Sequence, residues 1–127
     1  MKLFVYLATF WLSALWLTPD QQGARLFKNE DFDAAAERFD DPMWKATSLY
    51  RAGEFKEAQI AFARLDSAEA HYNRGNCLIM LGSYDEAVAS YDRALKRRED
   101  WPEAMANRKL AMARAESTKD EGGDMGD

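Results

Sequence analysis

Apolar residues recur along this chain at helical intervals, and three stretches repeat them in one order. A small residue is followed after three positions by Leu, after six more by an aromatic, after three more by Ala, and after four more by a second aromatic. The copies are Gly23, Leu26, Phe32, Ala35, Phe39; then Ala46, Leu49, Phe55, Ala58, Phe62; then Gly75, Leu78, Tyr84, Ala87, Tyr91. The aromatic, Ala and aromatic fall at i, i+3 and i+7, which is one stripe of an α-helix. A small Ala in mid-stripe lets a neighbouring helix approach, with a ring on either side of the contact. The small residue and the Leu share one face of a preceding helix. Gly53 and Gly82 stand two residues before the aromatic, where a left-handed residue commonly ends a helix. The first copy has Glu30 there, after Asn29, so its turn is expected to be less well specified.

Each copy therefore reads as helix, tight turn, antiparallel helix. One such pair cannot bury its apolar stripe alone, so repeated pairs stack. Unrelated helices in an ordinary bundle would not share five spaced positions. The expected fold is all-α: an α-solenoid of three antiparallel helix pairs and a C-terminal capping helix, preceded by an N-terminal hydrophobic helix. The expected divisions are 1–19, a hydrophobic anchor segment; 20–116, the repeat domain; and 117–127, a disordered acidic tail rich in Gly. The capping helix is expected from Pro102 to about Glu116. In it, Glu103-Ala104 and Asn107-Arg108 repeat Glu69-Ala70 and Asn73-Arg74 after a shift of 34. Leu110 and the Ala and Met residues are available for packing, while Lys109 and Arg114 suit a polar outer side.

The net charge of −5 argues against general nucleic-acid binding, which needs a basic surface. The cluster Lys96-Arg97-Arg98 ends an expected helix and there opposes the negative end of the helix dipole. A single cysteine, Cys77, permits no intrachain disulfide and reads as a small buried apolar residue. A single histidine, His71, with no second Cys, leaves no zinc site of familiar spacing. His71 is expected at the surface or at the seam between the second and third pairs. No phosphate loop or nucleophile elbow occurs, and a small hydrolase would need a nucleophile beside His71. Asp40-Asp41 and Glu99-Asp100 read as caps and solvated turns. No catalytic activity, cofactor or metal is expected.

Leu3 to Leu17 runs fifteen residues without a charge. That is short for a bilayer crossing, which takes about 20 residues with a lower limit near 17, but Trp11 and Trp16 suit a membrane interface. An uncleaved anchor is the favoured reading. A secretory signal lacks its small-residue cleavage site in Ala14-Leu15-Trp16-Leu17, and a buried helix would leave apolar surface exposed. Lys2 before the segment and Asp20 after it favour the N-terminus inside and the helices outside.

The spaced pattern resembles the tetratricopeptide repeat. Ala68–Leu95, AEAHYNRGNCLIMLGSYDEAVASYDRAL, is the closest copy, and the resemblance extends over about Thr18 to Ala115. The stretches around Asp41–Gly53 and Leu65–Asn76 further resemble the repeat portion of bacterial inner-membrane proteins of the Bat aerotolerance operons. Those proteins often carry a von Willebrand factor A domain, whose Asp-x-Ser-x-Ser metal motif is missing here. The resemblance implies a concave face, lined by the first helix of each pair, that binds a protein or peptide partner. Asn73 and its counterpart Asn107 then become candidates for pairing with a peptide backbone, with Asn76, Tyr72, Met80, Trp44 and Arg25 bordering the groove. Related domains that clamp a C-terminal carboxylate place cations where Glu103 and Asn107 stand, so a neutral or basic partner segment is expected. The implied function is a membrane-anchored adaptor in a bacterial envelope complex, in the inner membrane with the repeats in the periplasm. The alternative is a secreted or soluble subunit that stabilises a partner enzyme by packing.

Overall fold

The computed structural model describes residues 16–123. The chain forms seven α-helices there and no strand. They are α1, Pro19–Lys28; α2, Phe32–Arg38; α3, Pro42–Arg51; α4, Phe55–Ala63; α5, Ala68–Met80; α6, Tyr84–Arg97; and α7, Pro102–Gly123. Each helix packs on the next, and α5 also touches both α3 and α7. This is the contact pattern of stacked hairpins closed by one final helix.

First and second helices of each pair begin in different ways. The first helices have side-chain caps. Thr18 Oγ1 accepts from the Gln21 N–H while Gln21 Oε1 accepts from the Thr18 N–H, which makes a capping box before Pro19. Asp41 Oδ1 accepts from the Trp44 N–H, and Ser67 Oγ from the Ala70 N–H. The N-caps of α2, α4 and α6 make no side-chain cap bond; those helices issue from the hairpin turn itself. That turn is the same three times. A left-handed residue stands at Glu30, Gly53 and Gly82, with φ of 61°, 82° and 74°. Its N–H reaches the carbonyl three residues back, and the next N–H reaches five back. The first turn is therefore as well formed as the others. Glu30 adopts the conformation that glycine supplies elsewhere, held there by its own N–H on the Phe27 carbonyl and by the Asp31 N–H on the Leu26 carbonyl.

Packing accounts for the spaced pattern. Ala35, Ala58 and Ala87 are wholly buried, and the rings of Phe39, Phe62 and Tyr91 are almost or wholly so. The small residue of each copy faces the last ring of the same copy. A Cβ on Gly23 would lie 2.7 Å from the Phe39 ring, and one on Gly75 would lie 2.6 Å from the Tyr91 ring. Glycine is needed at both places because the ring lies flat against the helix backbone. In the second copy, Ala46 shares a core cluster with Ala58, Phe62, Ala70 and Cys77. Burial pushes the Cys77 thiol up to about 12, in keeping with an apolar role.

The second helices are unequal: α2 has 7 residues, α4 has 9 and α6 has 14. The short exit of the first pair is pinned by Asp20, whose Oδ1 accepts from the N–H groups of Asp40 (2.8 Å) and Asp41 (2.9 Å). The closing helix differs from expectation in two ways. Its inner side is Ala104, Ala111 and Ala115, but its outer side carries exposed Met105, Leu110 and Met112 besides Lys109 and Arg114. It also continues to Gly123, where disorder was expected from Ser117. Thr118 Oγ1 donates to the Ala115 carbonyl, and Lys119 Nζ lies 3.6 Å from the Asp85 carboxylate of α6, so the added turns are not without anchorage.

Candidate functional site

The first helices, α1, α3, α5 and α7, border two cavities of different chemistry. One, of about 590 Å³, lies where α1 meets the start of α3 and is lined by Asp20, Ala24, Phe27, Lys28, Phe39, Asp41 and Trp44. Its walls are mainly aromatic. The Trp44 ring stacks on Phe39 at 5.7 Å and meets Phe27 edge-on at 5.3 Å, yet about half of Trp44 remains exposed. The guanidinium of Arg51, at the other end of α3 from Trp44, sits over Phe27 and, at 4.6 Å, over Phe32. These contacts tie the first pair to the second and hold the rings in place.

The other cavity, of about 190 Å³, lies where α3, α5 and α7 come together. Tyr50, Asn76, Ile79, Met80, Tyr91, Asn107 and Leu110 line it. Its polar groups form one network. Asn76 Oδ1 accepts from the Tyr91 hydroxyl at 2.6 Å and from Asn107 Nδ2 at 3.1 Å. Asn107 Nδ2 also donates to the Tyr72 hydroxyl at 3.2 Å. Burial, then the neighbouring Tyr72, raises the Tyr91 phenol well above its ordinary range, so it remains a donor to Asn76 at any physiological pH. The Asn76 Nδ2 and Asn107 Oδ1 atoms are left without partners among the described residues. One offers donors and the other an acceptor.

Five of the seven candidates read from the sequence meet in these two places. Tyr72, Asn76, Asn107 and Met80 surround or support the amide cavity, and Trp44 walls the aromatic one. Asn73 is half-buried and Arg25 exposed, and neither lines either cavity. Arg25 stands one position from Ala24, so a quarter turn of helix carries it away from the aromatic wall. Sequence reasoning did not single out Tyr91, Tyr50, Phe27 or Phe39. Tyr91 and Phe39 occupy the last ring of the repeated pattern and so read as core. The hydroxyl of Tyr91, where the other copies have Phe, was the available signal.

His71 lies at the seam between the second and third pairs. It is buried, and its Nε2 pairs at 2.9 Å with Asp66, on the connection from α4 to α5. Asp66 also receives Arg97 of α6. The His71 hydrogen bond and then the Arg97 charge hold the Asp66 carboxyl below its usual range. His71 Nδ1 is buried without a partner. Among the described residues no cluster of His, Cys, Asp and Glu is arranged to hold a metal ion.

Comparison with known proteins supports the reading of the third hairpin. The tetratricopeptide repeat family matches residues 68–100, which are α5, α6 and the exit from α6. A maize protein described as an HSP-interacting protein is 38% identical over 98 residues, covering 72% of this chain and 12% of that protein. The chain thus spans about an eighth of the relative's length. A tetratricopeptide repeat in an all-helical stack points to an interaction module; the finer resemblance to Bat-operon proteins is not shown by these matches. The location expected from the sequence, a bacterial inner membrane with periplasmic repeats, is corrected. No helix among the described residues is long and apolar enough to cross a membrane, and the matched relative is a plant protein. The hydrophobic helix and membrane contact assigned to residues 3–17 fall, but for the last two positions, outside the described residues.

Proposed function

We propose that the first-helix face is a groove for an extended segment of a partner protein, and that the chain is a non-catalytic adaptor. The observation that carries this is the pairing of an apolar cavity with unused amide groups on one face. The cavity between Phe27, Phe39 and Trp44 has room for a large side chain. Asn76 Nδ2 and Asn107 Oδ1 supply a donor and an acceptor that match the C=O and N–H of a peptide unit. Tyr72 and Tyr91 hold these two amides in position, so little ordering remains to be done on binding. With Asp20 and Asp41 against Lys28, the lining of the aromatic cavity is net negative and favours a neutral or basic segment. The interaction in the maize relative's name is not carried over, because the match spans only 12% of that protein.

A displayed library of random peptides, selected on the full chain and followed by calorimetry, tests the reading. Selected peptides should share one aromatic or large aliphatic residue. Trp44→Ala and Asn107→Ala should each weaken them at least about tenfold, as truncation of an interface anchor does. Failure to select any peptide, or unchanged binding by both variants, would remove the groove from consideration.

A further inference from the structure

A third hollow, of about 640 Å³, shares no residue with the groove cavities. Asp66, His71, Arg93, Lys96 and Arg97 line it. It lies where the connection from α4 to α5 passes the last turns of α6. Arg93, Lys96 and Arg97 are spaced i, i+3 and i+4, so they share one face of α6. Arg97 is bound to Asp66 and also donates to the Arg93 carbonyl at 3.1 Å. Among the described residues, Arg93 and Lys96 have no carboxylate within ion-pair distance. Two cations thus stand unneutralised side by side in a chain whose net charge is −5. Opposing the dipole of α6 accounts for cations at its end, but not for their gathering around a hollow with a buried imidazole in its wall.

The site already shows how it receives a carboxylate. Asp66, mostly exposed on its connecting loop, has one oxygen seated between His71 Nε2 and Arg97 Nη2. We infer that the notch takes further carboxylates from an acidic segment of a partner protein, with Arg93 and Lys96 as their counterions. Spacing favours such a segment over a single compact anion. The three residues from Arg93 to Lys96 rise about 4.5 Å along α6, and both carry long flexible side chains. Alternate side chains of an extended chain lie about 6.5 to 7 Å apart on one side. Successive carboxylates on one edge of a strand therefore meet successive cations of α6. Asp66 repels any anion driven deep into the hollow, which keeps the contact at the rim where Arg93 and Lys96 lie.

The test is fluorescence anisotropy of a labelled peptide of alternating Glu and Ser, titrated with the full chain. Binding should appear at low salt and weaken sharply toward about 0.5 M salt, where charges act on one another across only a few ångströms. Arg93→Gln combined with Lys96→Gln should weaken it at least about tenfold with helical circular dichroism retained, both side chains being exposed. A charge-matched control, Lys109→Gln with Arg114→Gln on α7, should bind as the unaltered chain does. Equal loss in both double variants would reduce the effect to overall charge and overturn the proposal. So would the absence of binding, or displacement by inorganic phosphate as effective as by the unlabelled peptide. None of these outcomes bears on the groove, whose residues are untouched.

Discussion

The first and third hairpins are built to one plan and end in different chemistry. Both turn through a left-handed residue with the same pair of hydrogen bonds, and both lay their last ring flat on a glycine. Yet α2 stops after 7 residues where α6 runs for 14. The ring of the first pair, Phe39, walls the larger, mainly aromatic cavity, whereas the ring of the third, Tyr91, is packed beneath α7 beside the smaller one and holds Asn76 by its hydroxyl. The repeated positions thus specify the hairpin, and the groove's character comes from the positions between them and from how far each second helix extends. Truncating the two rings should expose the difference most strongly. Tyr91→Ala should cost about 3 to 5 kcal/mol of stability, the range for a large aromatic in a closed core. Phe39→Ala should fall at the low end of that range, about 3 kcal/mol, because the larger cavity beside it leaves its neighbours more room to relax. Urea denaturation of both variants reads the order; equal losses would mean that the first pair is as tightly closed as the third.

The turns offer a finer comparison. Glu30 holds a backbone conformation that glycine supplies in the other two hairpins, and a side chain there costs roughly 1 to 2 kcal/mol. Glu30→Gly removes that strain but adds freedom to the unfolded chain, worth about 0.4 to 1 kcal/mol against it. The net expectation is a gain of about 0.5 kcal/mol. Gly82→Ala imposes the same strain on a turn that lacks it and should lose about 1 kcal/mol, with no steric clash to blame, since a Cβ there would meet nothing within 4 Å. Opposite signs for the two substitutions, read as shifts in thermal midpoint, sharpen the equivalence of the turns. A loss in both would break it.

Much of this architecture was legible because it is local. Helix stripes, the turn position and the burial of Ala35, Ala58 and Ala87 all follow from spacing within about twenty residues. Trp44, Asn76, Asn107, Tyr72 and Met80 were reached through the family resemblance, which implies the lining face; Asn73 and Arg25, taken in the same way, line neither cavity. What sequence reading missed depends on contacts between distant segments. Phe39 belongs to the core pattern and reveals its second role, as a cavity wall, only when α2 is seen to end early against α3. The cluster Lys96-Arg97-Arg98 reads as one dipole-matching group, but the fold divides it. Arg97 goes to Asp66 on a connection 31 positions away, Arg98 lies 4.4 Å over the Trp101 ring, and Lys96 stays on the open hollow. The acidic composition after Ser117 argues for disorder, and it outweighed the local bond of Thr118 to Ala115 and the contact of Lys119 with Asp85, the second of which only the stacking of α7 on α6 makes possible.

The smallest expected effect concerns the two acids that secure the exits between pairs. Asp20 clasps backbone N–H groups at the exit of the first pair, while Asp66 binds the side chains of His71 and Arg97 at the exit of the second. Hydrogen bonding from His71, followed by the charge of Arg97, lowers the Asp66 carboxyl below its ordinary value of 3.8 in the folded chain. The unfolded chain therefore binds this proton more readily than the folded one. Stability from this carboxylate is in place above the unfolded value and is lost as pH falls through the folded one, so the window lies at and below about pH 4. Because Asp66 is exposed, its share is small and salt weakens it further. Asp66→Asn should flatten that part of the acid limb of a stability–pH profile and leave the profile above pH 5 nearly parallel to the original. A variant profile that stays parallel to the original down to pH 3 would mean that Asp66 is not ion-paired in solution. The seam at His71 would then rest on packing and on hydrogen bonds that need no acid, Ser90 to the His71 carbonyl and Arg74 to Gln59, and the two exits would no longer be alike in depending on an acid.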